Sequence, residues 1–263
     1  MDVAHLADGQ AVVGTDEGSG PLILVVPPGS DDGSGWAAVA RRLTTRFRVV
    51  RLHRRQYRMD VQNPTGFPLS VEIDEVRAVI DRIGLPVLLV GHSSGGVVAL
   101  ETLVRTPVTG AVLYEPPVNI PGMDWDEPLA RANAAIAAGR PGKAMTIFAR
   151  DIVKTPRWVA SLGGGLVGIL PRYRAMAPRQ IFDTLAIYEL GVRLDAYETI
   201  RTPTLLLSGE RSPKHLGERI DALAAVMPTA EKVTIAGQGH TANRRASAKV
   251  ADLISGFYDR LLS

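Results

Sequence analysis

The chain of 263 residues contains no cysteine. That excludes disulfides, thiolate nucleophiles, iron–sulfur clusters and cysteine-ligated zinc. Long apolar runs are missing too. The longest, such as Leu22–Val26 and Val87–Val90, fall far short of the ~20 residues that a spanning helix needs. The first ten residues carry Asp2 and Asp8 and no apolar stretch, so they do not read as a secretory signal. The expectation is a soluble cytoplasmic protein with no membrane partner. Lysine is scarce, with 5 among the 30 basic side chains, and basic charge is carried by arginine.

What is present is ordinary for a globular chain: 46% hydrophobic and 22% charged residues. A chain of this length forms one large domain or two small ones, and buries about three quarters of its unfolded surface. The net charge of +3 hides a segregation. Residues 1–32 hold six carboxylates and no lysine or arginine, whereas residues 33–59 hold eight arginines and no carboxylate. Residues 140–179 hold eight basic side chains against Asp151 alone. Such runs are read first as a solvated basic face, and second as a positive field that steers an anionic substrate. No RNP-type motif, zinc finger or helix-turn-helix accompanies them, so a nucleic-acid partner is not expected.

Short apolar runs alternate with helical patterns. Strands are predicted at 22–26, 47–52, 87–90, 111–114, 204–208 and 232–235, and helices at 36–43, 71–83, 97–105, 216–227 and 246–262. This alternation predicts an α/β fold, a mostly parallel sheet covered by helices on both faces, with its chemistry at the carboxyl ends of the strands. No repeat interrupts it. Between Asn119 and Thr202 the alternation stops. Helical patterns at 128–138, 143–154 and 180–190, with a flexible link at Ser161–Gly165, predict a helical cap inserted before the last two strands. The expected organisation is a core of residues 1–118 and 203–263 with a cap of residues 119–202.

Gly91-His92-Ser93-Ser94-Gly95 lies between the predicted 87–90 strand and 97–105 helix. It is a G-x-S-x-G turn in the strand–turn–helix setting that its chemistry requires. The turn is so tight that side chains at positions 91 and 95 would clash, and it presents Ser93 Oγ at the sheet edge facing the N-terminus of a helix. Five histidines are available as a base: His5, His53, His92, His215 and His240.

At this point the chain resembles the α/β-hydrolase superfamily over nearly its whole length. The resemblance implies an acid and a histidine after the nucleophile in chain order. His240 ends the loop Ala236-Gly237-Gln238-Gly239-His240 after the last predicted strand, which matches the family's G-x-G-H loop. The commonest acid position in the family falls here on Ser212, in Gly209-Glu210-Arg211-Ser212-Pro213, and a serine cannot orient an imidazolium. Two glutamates remain. Glu115 ends the strand after the nucleophile helix, where some superfamily members carry their acid, and is favoured; Glu210 is the alternative. The resemblance also implies an oxyanion hole from the N–H of Ser94 and one from the loop after the 22–26 strand. Pro27 and Pro28 have no N–H, so Gly29 or Ser30 must donate. Asp31–Gly35 reads as an acidic, flexible loop. Where relatives carry Asp-x-x-Gly-x-Gly-x-Ser, this chain has His53 for the aspartate and neither glycine, which predicts that His53, Arg54 and Tyr57 face the pocket.

The expected activity is that of a serine hydrolase that needs no metal or cofactor, cleaving an ester or lactone of a small to medium, partly apolar substrate. His92, His53, Tyr57, Trp125 and Trp158 are the expected substrate-binding side chains. A serine at the elbow excludes chemistry that needs a carboxylate nucleophile. The alternatives are a thioesterase whose Arg54, Arg55, Arg157 and Arg172 meet an anionic carrier, and a lyase, oxygenase or ligand-binding member of the fold.

Overall fold

In chain order the strands are β1 (Asp2–His5), β2 (Ala11–Glu17), β3 (Leu22–Val26), β4 (Arg48–Leu52), β5 (Val87–His92), β6 (Gly110–Tyr114), β7 (Thr204–Gly209) and β8 (Ala230–Ile235). They form one eight-stranded sheet in the order β1-β2-β4-β3-β5-β6-β7-β8 in a computed structural model that describes residues 1–62, 66–84 and 86–263. From β4 to β8 every pairing is parallel, whereas β1 pairs with β2 and β2 with β4 antiparallel. The β1–β2 hairpin was not expected. Its strands, Asp-Val-Ala-His and Ala-Val-Val-Gly-Thr-Asp-Glu, are part exposed and polar-edged, and lack the continuous apolar run that marks a strand buried on both faces.

The core helices are α1 (Ala37–Leu43), α2 (Leu69–Ile83) and α3 (Ser94–Leu103). Between β6 and β7 the chain runs through α4 (Asp126–Ala137), α5 (Pro141–Ile147), a π-turn (Phe148–Ile152), α6 (Arg157–Ile169), α7 (Pro171–Glu189) and α8 (Leu194–Glu198). It closes with α9 (Lys214–Val226), α10 (Ala242–Arg245) and α11 (Ser247–Leu262). Side chains alternate along the buried strands and divide the core in two. Leu22, Leu24 and Val26 of β3 face one side with α2 and α3, while Ile23 and Val25 face the other with α1 and α11. Burying each such side chain stabilises by about 1.5–3 kcal/mol. Because β3 lies between β4 and β5, the chain leaves it toward opposite edges in successive crossovers. The carboxyl ends of β3 and β5 therefore flank a crevice at the point where strand order reverses.

Three expectations are corrected here. Ser161–Gly165 is no flexible link but the middle of α6. Gly164 serves close packing on α5: a Cβ there would stand 2.6 Å from the Gly142 carbonyl oxygen, and one at Gly142 2.5 Å from the Gly164 carbonyl oxygen. Asp31–Gly35 is tied rather than loose, because the buried Asp31 accepts the N–H groups of Gly33 and Gly35 and the Arg244 guanidinium. The arginine run of residues 33–59 is largely neutralised rather than one solvated face or steering field; Arg41 and Arg42 alone among its eight are exposed with no ion pair among the described residues. Arg46, Arg48, Arg51, Arg54, Arg55 and Arg58 are each ion-paired, Arg48 and Arg51 with Asp16 and Glu17 of the acidic N-terminal segment. Charges separated in sequence are neutralised in space.

Candidate active site

The Gly91–Gly95 turn joins β5 to α3. Ser93 sits between them at φ 53° and ψ −129°, a conformation that a residue with a Cβ rarely adopts. A Cβ at Gly91 would stand 2.7 Å from Ala99 Cβ, and one at Gly95 2.5 Å from the Val26 carbonyl oxygen, so both flanking positions have room for glycine only. Ser93 makes no side-chain cap bond to α3, which leaves Oγ directed to the space in front of the helix. The non-glycine residues at positive φ among those described are Ser30, Ser93, Glu115 and Lys154. Three of these four are candidate site residues, in keeping with the tendency of backbone strain to collect at functional sites.

His240 follows β8 on a loop held by the side chains of Glu115, Glu210, His92 and Tyr114. Its Nδ1 lies 2.6 Å from Glu115 Oε2. Glu115 is fully buried at the end of β6, at φ 45°. Its N–H donates to the Leu207 carbonyl at 3.1 Å and its Oε1 accepts the Gly209 N–H at 2.6 Å, so the end of β7 fixes the carboxylate. Glu210 turns elsewhere: its Oε2 accepts the Gly237 N–H on the exposed side of the loop. The structure thus brings His240 to Glu115 and not to Glu210.

His92 does not bind in the cavity as expected. It is buried behind the His240 loop, stacked on Tyr114 at 4.6 Å between ring centroids. Its Nδ1 accepts the Trp36 indole N–H at 3.3 Å, and its Nε2–H donates to the His240 carbonyl at 3.0 Å. Burial, reinforced by the neighbouring His240, holds its pKa well below the ordinary histidine value, so the ring is neutral. Tyr114 OH donates to the Gly239 carbonyl and accepts the Ala242 N–H. The glycine-rich loop is thereby tied to the core where it carries His240.

Ser93, Ser94 and His240 line one cavity of about 230 Å³ between the strand ends and the inserted helices. Trp125, Phe148, Ile152, Ile187 and Leu216 supply its apolar wall; Thr155, Gln180, Thr184 and His215 add polar groups from the far side. Of these, Trp125 was anticipated as a binding residue. Gln180, Thr184 and His215 were not, because helical spacing alone does not say which face of an inserted helix looks inward. His215 Nε2–H donates to the Val153 carbonyl at 3.0 Å and so fastens α9 to the π-turn segment. Its Nδ1 accepts from Arg219, which has no carboxylate partner and is pushed down to about 10 by burial.

Behind the cavity wall lies a buried charged seam. Arg54 Nη2 is 2.5 Å from Glu72 and 2.7 Å from Asp183 of α7, and its Nη1 donates to Ser94 Oγ at 2.6 Å. Burial alone would lower the guanidinium pKa, but the two carboxylates hold it well above its usual value. Tyr57 OH donates to Asp183 at 2.6 Å, and burial with that carboxylate keeps the phenol protonated. Arg54 and Tyr57 therefore belong to the seam, not to the pocket surface, and Arg55 is spent on a buried pair with Glu75 at 2.6 Å. His53 does not line the cavity; it is half-buried, its pKa lowered chiefly by burial. Trp158 is 73% exposed on α6 and also lies outside the cavity. Gly29 and Ser30 touch the site through Gln180, whose Oε1 accepts Ser30 Oγ–H at 3.0 Å. No cluster of three or more potential metal ligands occurs among the described residues.

The model of the alpha/beta hydrolase family matches residues 23–253. A pimeloyl-[acyl-carrier protein] methyl ester esterase from Xanthomonas oryzae pv. oryzae is 24% identical over 249 residues, covering 91% of this chain and 96% of that one. An alpha/beta hydrolase structure from Sphaerobacter thermophilus superposes with a TM-score of 0.80 at 27% identity, over 96% of this chain and 98% of that one. An esterase from Exiguobacterium antarcticum shares the fold at a TM-score of 0.74 and 18% identity, over 99% and 98% of the two chains.

Proposed function

The chain belongs to the alpha/beta hydrolase family, and from that premise we propose that it is a serine esterase, acting on carboxylic esters or lactones through Ser93, His240 and Glu115. One observation carries the reading: His240, anchored by Glu115 at 2.6 Å, shares a cavity with a serine on a strained strand–helix turn. The carboxylate fixes the proton on Nδ1 and leaves Nε2 as the base. His240 Nε2 takes the Ser93 proton as Oγ attacks the acyl carbon. The oxyanion is met by the Ser94 N–H at the start of α3 and by the N–H of Ser30 or Gly29. Each such donor contributes about 3 kcal/mol to transition-state stabilisation. His240 then protonates the departing alkoxide. Water, deprotonated by the same nitrogen, attacks the acyl-enzyme; the acyl–Oγ bond breaks, His240 returns the proton to Ser93 Oγ, and the acid is released.

The size and mostly apolar wall of the cavity support a small to medium acyl group. The named activity of the Xanthomonas relative makes methyl esters the first substrates to assay. A carrier-bound thioester is less well supported, since Arg54 and Arg55 are consumed in buried ion pairs. The test is intact mass after treatment with a fluorophosphonate probe, beside Ser93→Ala. One adduct on the wild type and none on the variant is expected, with hydrolysis of short-chain esters lost in parallel. A folded wild type that takes no adduct, or a variant that still takes one, overturns the assignment.

A further inference from the structure

The outward face of α6 and the start of α7 inverts the usual order of a soluble surface. Trp158, Leu162, Leu166 and Ile169 of α6 are 73%, 63%, 53% and 76% exposed, and Leu170 and Tyr173 continue the stripe. Their spacing of three to four residues sets them along one side of the helix. Around them stand the exposed cations Lys154, Arg157 and Arg174, with Arg172 beside them paired to Asp32 at 3.5 Å, and no carboxylate occurs in the sequence from Ile152 to Phe182. Monomeric soluble proteins rarely leave a contiguous apolar patch of this kind without a use for it.

We infer that this face docks on the surface of an anionic lipid bilayer. An apolar stripe with tryptophan and tyrosine at its ends, bordered by arginine and lysine, is the composition of a helix that lies in the headgroup region. The charge argues against a second copy, because two such faces would bring together six cations, Lys154, Arg157 and Arg174 of each, that no carboxylate pairs among the described residues. The exposure argues against a protein partner. Side chains more than seven-tenths exposed protrude, and a fluid phase accepts protrusions without a matching pocket. That no helix among the described residues is long and apolar enough to cross a membrane concerns spanning only. Phe148, Ile152, Val153 and Thr155 line the cavity immediately before α6, so docking would set the cavity wall beside the lipid surface. The inference does not depend on the catalytic assignment.

The full chain is mixed with vesicles of equimolar phosphatidylglycerol and phosphatidylcholine, and with phosphatidylcholine alone. Trp36 and Trp125 are buried, so Trp158 is the tryptophan placed to report. The expected result is flotation with the anionic vesicles, a blue-shifted emission quenched by brominated acyl chains, and weaker binding as salt rises. Trp158→Ser should abolish the emission change, and Ile169→Asp should weaken binding by about tenfold or more. Arg157→Gln should weaken it by about fivefold. All three positions are exposed, and an unchanged circular dichroism melt shows that each variant is folded. No binding at low salt, binding that Ile169→Asp leaves intact, or a solution dimer that Ile169→Asp dissociates would overturn the inference, the last by assigning the face to a second copy.

Discussion

The core and the helical insertion are held together by different physics. In the core, β3, β5 and β6 are buried along their whole length and the two faces of the sheet are filled by separate apolar clusters. The insertion has two much smaller apolar clusters, one around Ile147 and Ile181 and one around Trp125 and Ile152. Ile187, Tyr197 and Ile200 at its C-terminal end join the main core cluster, and directional polar contacts add to that packing: Asp183 on Arg54 and Tyr57, and His215 on Val153. Apolar burial is non-directional and tolerates substitution, whereas a buried ion pair is directional and fails when one partner is lost. The core thus supplies a rigid floor for the chemistry, and the insertion is registered on it by a few specific contacts.

The largest expected effect lies on the core side. Glu115→Gln keeps the shape but offers an amide where His240 Nδ1–H needs a carboxylate. We expect kcat to fall by about 10⁴-fold, with little change in KM, in a steady-state assay on a short-chain ester. Glu210→Gln, at a carboxylate that caps Gly237, should stay within about twofold, as expected of an exposed group outside the chemistry. Equal losses from the two variants would dissolve the distinction between the carboxylates.

The seam comes next. Arg54→Met would leave Glu72 and Asp183 buried with like charges and no cation, a change that costs about 3–5 kcal/mol. Chemical denaturation is the measurement. Ser94 would lose its Arg54 partner in the same variant, so kcat should fall in the fraction that folds. Ile181→Ala, in the small cluster of the insertion, should cost about 2–5 kcal/mol. If Arg54→Met cost no more than an exposed substitution, the insertion would be held by its apolar clusters after all.

These contrasts explain what the sequence disclosed. The parallel strands were legible because each is a continuous apolar run, and Ser93 because its glycines must flank it at fixed spacing. His240 was legible from its loop, while Glu115 could be preferred to Glu210 but not separated from it, since the choice depends on where β7 ends in space. The seam was not legible. Arg54, Glu72 and Asp183 lie 18 and 129 residues apart, and nothing in the local pattern distinguishes a buried arginine from a solvated one. For the same reason His92 and Tyr57 were expected at the pocket surface, when both act from behind it. Trp158 was taken as a binding residue because aromatic type does not reveal which way a helix face points.

Acid should sharpen the comparison between the two histidine pins. His92, wholly buried in the core, and His215, half-buried at the insertion, both have lowered pKa values, burial being the first cause in each. A depressed histidine stabilises the fold above the unfolded value of about 6.5, and that contribution is lost as pH falls below it, because the unfolded chain binds a proton that the folded one refuses. The stability loss approaches about 1.4 kcal/mol per pH unit for each such group. Urea unfolding from about pH 7.5 to 5.5 should therefore show a slope that His92→Asn flattens more than His215→Asn does, because His92 is the more deeply buried. A steeper flattening by His215→Asn would place the acid-sensitive fastening in the insertion.

The smallest expected effect is on the outer face of α6. Leu162 is 63% exposed, whereas Ile181, an aliphatic residue of the same insertion, is fully buried. Stability depends on the area withdrawn from water on folding, and Leu162 withdraws little, so Leu162→Ser should change unfolding free energy by no more than about 0.5 kcal/mol. Its hydrolysis of a water-soluble ester should match the wild type, because α6 contributes no residue to the cavity wall. The same substitution should reduce adsorption to anionic vesicles, measured by flotation. An outward leucine that matters neither to folding nor to soluble turnover, yet matters at a lipid surface, would show that the two faces of the insertion answer to different solvents. A large loss of stability from Leu162→Ser would instead mean that α6 packs against something in the free protein, and the contrast between its faces would fall.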